Sequence, residues 1–200
     1  MGIPFHTTQG TIDLTALRSS DVRADVVADG LSKINRFNGR TPEPWSVAAH
    51  SVLVSQLCPP ELAAWGLLHD AHEVFLGDLT TPAVRLLKFP MVPVSAETIA
   101  YAVRRAKIDL DRQIARFWGV EKAAFEDQLL LADRAALDAE LYVFLNVPFQ
   151  TTDRDHADLV SRATRMIYER PSLTTWQNAR AYWLEAAETL SHSGQLRLPA

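Results

Sequence analysis

One cysteine, Cys58, is all the chain has. It cannot close an internal disulfide, which fits a reducing compartment. No uninterrupted apolar run approaches the ~20 residues of a membrane helix, so no span is expected. Lys and Arg form no block and the net charge is −4, which argues against a dedicated nucleic-acid surface. A small anionic substrate stays open, because local charge matters more than the total. The start, MGIPFHTTQG, lacks a basic region followed by an apolar core, so no secretory leader is expected. Repeats, low-complexity tracts and linkers are missing as well. The 200 residues therefore read as one cytoplasmic domain, spanning 1–200. At 48% hydrophobic content, the chain can fill a core without staples and does not read as disordered.

What is present is mostly helical punctuation. PFHTTQGTIDL carries a Gln-Gly turn signal between two β-compatible pieces and predicts a small hairpin. SDVRADVVADGLSKINRF has helical period, with Ser20 or Asp21 as its cap. NGRTPEPW, 38–45, is a loop by its Gly and Pro content. SVAAHSVLVSQLC predicts a helix capped by Ser46 and stopped by Pro59-Pro60. ELAAWGLLHDAHEVFL predicts the next one, ending at Gly77. Thr81-Pro82 opens a short helix through Leu87. Two long helices follow, one after Pro93 and closed by Gly119, one over 121–146. Two more cover 154–170 and 174–191. The expected class is an all-α bundle, with the hairpin as its only β piece.

Some charged residues fall on apolar faces. Asp133 has Leu129 and Leu137 at i±4, Phe125 and Leu141 at i±8, and Leu130 and Ala136 at i±3. A carboxylate there is expected on the buried side. Burying a lone charge costs several kcal/mol, so it must be paired, protonated or on a metal. His50 shares its helix side with Val47, Leu53, Val54 and Leu57; His69 follows Leu62 and Trp65, with Asp70 next to it. Taken one at a time, these are hydrogen-bonded core histidines and a paired Asp. Taken together they supply two imidazoles and two carboxylates from three helices. Mixed N/O donors of that kind suit Mn, Fe, Co, Ni or Zn better than Ca or Mg.

SVAAHS, LLHDAHEVFLGDLTTP and LLLADRAAL resemble the HD-domain metal-dependent phosphohydrolases. The ordered set that names that superfamily reads here His50, His69-Asp70, Asp133. The similarity is to the small bacterial and phage branch that includes 5′-deoxynucleotidases and phage dATP triphosphohydrolases, and INRFNGRT fits that branch too. It covers about residues 5–138; the helices over 154–191 are expected to pack on that part. The resemblance implies an HD-type helical bundle and one divalent transition metal held by His50, His69, Asp70 and Asp133. Glu73, one turn after His69 and spaced to miss the ion, suits a base or water-orienting group beside the metal, or else is a surface Glu near a helix end. The resemblance places Asp78 near the attacking water or leaving oxygen; the alternative is a capping Asp in a turn. It makes Arg36 a phosphate contact and Phe37 a ring for sugar or base; Arg40 and Trp45 are looser candidates on the same loop. Many relatives carry Trp where Phe37 stands. Thr80 and Thr81 either donate to phosphate or cap the next helix. Where some relatives carry a Lys, this chain has Val84 with Arg85 beside it. His72 lies one turn from His69; one metal is favoured, with His72 near the phosphate or partly exposed.

The implied partner is a small-molecule nucleotide, with neither nucleic acid nor membrane, and the C-terminal helices offer surface for a homo-oligomer. Glu73 and Asp78 beside an intact ligand set point to hydrolysis of a phosphoester. A (deoxy)nucleoside 5′-monophosphate is preferred. The alternative, a dNTP triphosphohydrolase, needs more cations than Arg36, Arg40, Arg85 and Lys88. A non-catalytic nucleotide-binding HD module ranks lower, because degenerate members lose ligands. A scaffold whose polar residues only pair with each other is the third class, and metal content separates it from the others.

Overall fold

The computed structural model describes residues 2–89, 93–120 and 126–200. It is all-α apart from one N-terminal hairpin. Strands β1 (Pro4–Thr7) and β2 (Gly10–Asp13) pair antiparallel, with Phe5 opposite Ile12. Gly10 takes φ 125°, a conformation the tight turn requires and L side chains rarely adopt. A 3-10 turn, Ser19–Val22, precedes α1 (Ala24–Lys33). The sequence expected one helix from Ser20 or Asp21. Instead Arg23 is extended (φ −57°, ψ 155°), and Asp21 turns back to bond the Arg18 backbone N–H and guanidinium.

Helix α2 (Val47–Leu57) starts where Ser46 accepts the Ala49 N–H, as its sequence predicts. Nearly every α2 residue is buried. The reason is position: α1, α3 (Ala63–Leu68), α7 (Glu126–Leu145), α8 (Arg154–Glu169) and α9 (Trp176–His192) all pack against it. The stretch 121–125, read from sequence as the start of α7, lies outside the described residues, and with it the Phe125 neighbour of Asp133. Asn146 (φ 54°) follows the end of α7. The long α6 (Pro93–Trp118) ends at Gly119 (φ 64°), and the Arg197 N–H returns to the Trp118 carbonyl. Trp118 meets Trp183 of α9 edge-on at 5.6 Å.

Residues 61–76 are not one helix. After α3 the chain winds as i→i+3 turns through residues 69–72, then α4 covers Glu73–Leu76. The Ala71 N–H bonds the Leu68 carbonyl at 2.9 Å, and the Glu73 N–H bonds the Asp70 carbonyl at 2.9 Å. Such tight winding brings residues three apart into eclipse. Helix α5 (Thr81–Lys88) begins one residue earlier than its sequence suggests, because the Thr80 hydroxyl, not that of Thr81, accepts the Ala83 N–H. Among the described residues no helix is long and apolar enough to cross a membrane.

Candidate metal centre

His50 stands in the first turns of α2 with no solvent exposure. Its Nε2 is 3.0 Å from Asp133 Oδ1 and 3.8 Å from Asp70 Oδ2. His69, at the end of α3, brings its Nε2 to 3.2 Å from Asp70 Oδ2 and 3.8 Å from Asp133 Oδ1. The two rings are 5.3 Å apart by centroid. Residues 83 positions apart in sequence thus place donor atoms around one point.

These atoms could hold a metal ion. His69 Nδ1 bonds the Gly66 carbonyl at 2.7 Å. A carbonyl only accepts, so Nδ1 carries the proton and donates. Nε2 of that ring is buried and has no hydrogen-bond partner among the described residues. A nitrogen lone pair facing two carboxylates is repelled unless a proton or a cation sits between them. Burial pushes the His69 imidazole down, but Asp70 and Asp133 outweigh it and raise it well above the usual range. Burial and Arg36 lower His50, while Glu140 and Asp133 raise it to a net upward shift. Burial alone would raise Asp70 and Asp133; the imidazoles hold both far below ordinary carboxylates. Buried imidazole nitrogens facing carboxylate oxygens in this way could hold a metal ion.

Asp133 arrives differently from the sequence expectation. The buried line of α7 runs through Ala132, Ala135, Ala136, Ala139 and Glu140, whereas Leu130 is 60% exposed. The Asp133 side chain stays 39% exposed at the margin of that line. It therefore keeps access to solvent while reaching both imidazoles.

The i→i+3 winding sets Glu73 over Asp70. One ligand atom each from Asp70, His72 and Glu73 lie within 4.8 Å of one another. Glu73 is buried and its Oε2 has no hydrogen-bond partner among the described residues. Burial, then the Asp70 and Asp78 charges, raise its carboxyl to about 8. Its Oε1 lies 3.9 Å from Lys107 Nζ on α6. Asp78, half-buried after Gly77, is also raised, mainly by burial, against the pull of Arg36. His72 is buried and turned toward α6, where its Nδ1 meets Asp111 Oδ1 at 2.8 Å.

The loop before α2 is closed at its base. The Arg36 N–H bonds the Trp45 carbonyl at 2.8 Å, and the Val47 N–H bonds the Ile34 carbonyl at 2.9 Å. Inside it, Phe37 and Asn38 take φ 54° and 52°, left-handed values that cost about 1–3 kcal/mol each without glycine. The closed base aims two side chains inward. Arg36 Nε donates to Glu140 Oε2 at 2.9 Å, and Arg36 Nη1 is 4.0 Å from Asp70 Oδ2. Trp45 is buried, lies 4.9 Å from Phe144 by ring centroid, and donates its Nε1–H to Glu140 Oε1 at 2.8 Å. A ring so enclosed has no face left for a ligand. Phe37 is half-buried beside the Arg36 guanidinium, and Arg40 is exposed on the loop. The Thr80 hydroxyl is engaged as a cap; Thr81 is exposed at the first turn of α5.

The residues that the sequence did not offer are Glu140, Lys107 and Asp111. Glu140 stands seven positions after Asp133, on the same side of α7, and that spacing was the one available signal. Lys107 and Asp111 are one turn apart on α6 and meet Glu73 and His72 only through packing. Among the later histidines, His156 Nε2 meets Asp138 Oδ2 at 2.8 Å, which ties α8 to α7.

The chain is similar to an uncharacterized protein, YfdR, of Escherichia coli K12: 32% identical over 124 residues, covering 52% of this chain and 70% of that protein. An uncharacterized protein of Rhodobacter capsulatus is 39% identical over 80 residues, which span 36% of this chain and 41% of that protein. No protein-family model matches the chain.

Proposed function

The chain belongs to the family of the Escherichia coli protein YfdR, and for it we propose a metal-dependent phosphohydrolase activity on nucleotides, of the HD-domain kind that its motifs resemble. The observation that carries this is the convergence of His50 Nε2, His69 Nε2, Asp70 Oδ2 and Asp133 Oδ1. The preferred substrate is a (deoxy)nucleoside 5′-monophosphate.

His50, His69, Asp70 and Asp133 would hold one divalent ion. When bound, such an ion supplies Lewis acidity toward a phosphoryl oxygen and toward water. The remaining work falls to the chain. Arg36 uses Nε on Glu140 and keeps further N–H donors. A guanidinium fixed that way suits a phosphate, which it can grip with two parallel bonds. Glu73, with a carboxyl raised to about 8, is suited to hold or pass a proton beside the cluster near neutral pH. Asp78 brings a second carboxyl into the same field.

Hydrolysis of a dNTP to tripolyphosphate is the second reading. Lys107 favours it, because it adds a cation next to Glu73 beyond the four counted from the sequence. The deciding experiment incubates the purified protein with Mn²⁺ or Co²⁺ against dNMPs and dNTPs, and measures orthophosphate and tripolyphosphate separately. Ion-dependent orthophosphate release from a dNMP is expected. Tripolyphosphate from a dNTP would assign the second activity. Turnover of neither by the ion-loaded protein would sink the hydrolase reading and leave a binding module.

A further inference from the structure

Glu140 is a carboxylate with no solvent exposure in the middle of an otherwise alanine-lined helix face. Such a group is expensive to bury unless it is paired and hydrogen-bonded. Three donors meet it. Oε1 receives the Trp45 Nε1–H at 2.8 Å and faces His50 Nδ1 at 2.7 Å, and Oε2 receives the Arg36 Nε–H at 2.9 Å. Indole and guanidinium are donors only, so they fix both carboxylate oxygens as acceptors. His50 Nδ1 must then donate to Oε1. That leaves Nε2 of the same ring to face Asp133 and Asp70.

We propose that Glu140 is the positioning residue of the metal centre: locked by Arg36 and Trp45, it sets the tautomer and direction of His50. The inference rests on the metal reading given above. Imidazole ligands commonly donate their second N–H to a carboxylate, which fixes ring orientation and raises ligand basicity. The loop 35–46 thereby bears on His50 through Glu140, beside the 4.0 Å approach of Arg36 Nη1 to Asp70 Oδ2. Its base is closed by the Asn35–Ser46 bridge, and Ser46 in turn caps the helix that carries His50. Loop, helix start and ligand are therefore set together.

The test is Mn²⁺ affinity, read by equilibrium dialysis or by the free-ion electron paramagnetic resonance signal, with no substrate present. Glu140→Gln keeps the side-chain shape but offers a donor where only acceptors fit. It is expected to weaken Mn²⁺ binding by about 10- to 100-fold. In a His50→Ala background the same change is expected to cost less than about threefold, because Glu140 acts through that ring. A Glu140 with only a structural role would weaken Mn²⁺ binding equally in both backgrounds, and that result overturns the proposal. So does wild-type affinity in a folded Glu140→Gln variant. Should Glu140→Gln fail to fold, Glu140→Asp keeps the charge and withdraws the oxygens from Nδ1, and the same pair of outcomes applies. A wild-type protein that binds no Mn²⁺ overturns the metal reading itself, and this inference with it.

Discussion

At the residue scale, Glu73 is where local winding becomes chemistry. Had the segment continued as an α-helix, Asp70 and Glu73 would lie about 60° apart around the axis. The i→i+3 bonds at Ala71 and Glu73 close that angle and stack the two carboxyls. Burial first, and then the Asp70 and Asp78 charges, raise the Glu73 carboxyl to about 8, while Asp70 stays charged beside the imidazoles. Glu73→Gln keeps the shape and removes the proton chemistry. The expected result is unchanged Mn²⁺ content with a kcat lower by roughly 10²- to 10⁴-fold. Loss of the ion in that variant would make Glu73 a ligand instead, and full activity would make it a bystander.

At the scale of elements, the spacing between His50 and His69 depends on how closely α3 approaches α2. Gly66 sits at that contact. A Cβ there would lie 2.9 Å from Cys58 Sγ and 3.0 Å from the Ser55 Cα. The Ser55 backbone cannot rotate aside, so α3 must shift. Overpacking of this kind costs about 1–3 kcal/mol, while replacing a helical Gly by Ala returns about 1 kcal/mol. Gly66→Ala should therefore lose up to about 2 kcal/mol of stability and bind Mn²⁺ more weakly, since the shift carries His69. Thermal melts and dialysis measure the two effects. A variant that is as stable and binds as well as wild type would show that this contact does not set the ligand spacing.

At the scale of the whole molecule, the candidate ion joins three parts of the chain: α2, the end of α3, and α7. An ion that binds only where those parts are assembled stabilises the fold by mass action. At a free concentration one hundred times the Kd, that is about 2.7 kcal/mol. For a chain of this size each kcal/mol moves the Tm by about 2–4 °C. Mn²⁺ should therefore raise the melting temperature by about 5–10 °C, EDTA should reverse the rise, and Asp133→Ala should abolish it. A Tm indifferent to Mn²⁺ in the wild-type protein would mean that these atoms do not hold an ion across the three elements.

What the sequence determined by itself was local. Ser46 capping α2, Gly119 and Asn146 closing long helices, and the Gln-Gly hairpin depend on neighbours a few positions away. The all-α class follows from the same periodicity. The apolar surroundings of His50 and His69 were legible for that reason as well. Tertiary structure decided the rest. A fully buried Glu140 and an exposed Glu look alike in a helical sequence, because helical period places a residue on a face without saying what that face meets. Glu140 reaches His50 across 90 positions and Arg36 across 104, and His72 finds Asp111 across 39. The break after Leu68 was also hidden. The stretch 69–72 carries no Gly or Pro, and His69 bonding to the Gly66 carbonyl is a side-chain event. Local pattern chose the helices; the packing of α7 against α2 and α3, and the approach of α6 to His72 and Glu73, chose which charges meet.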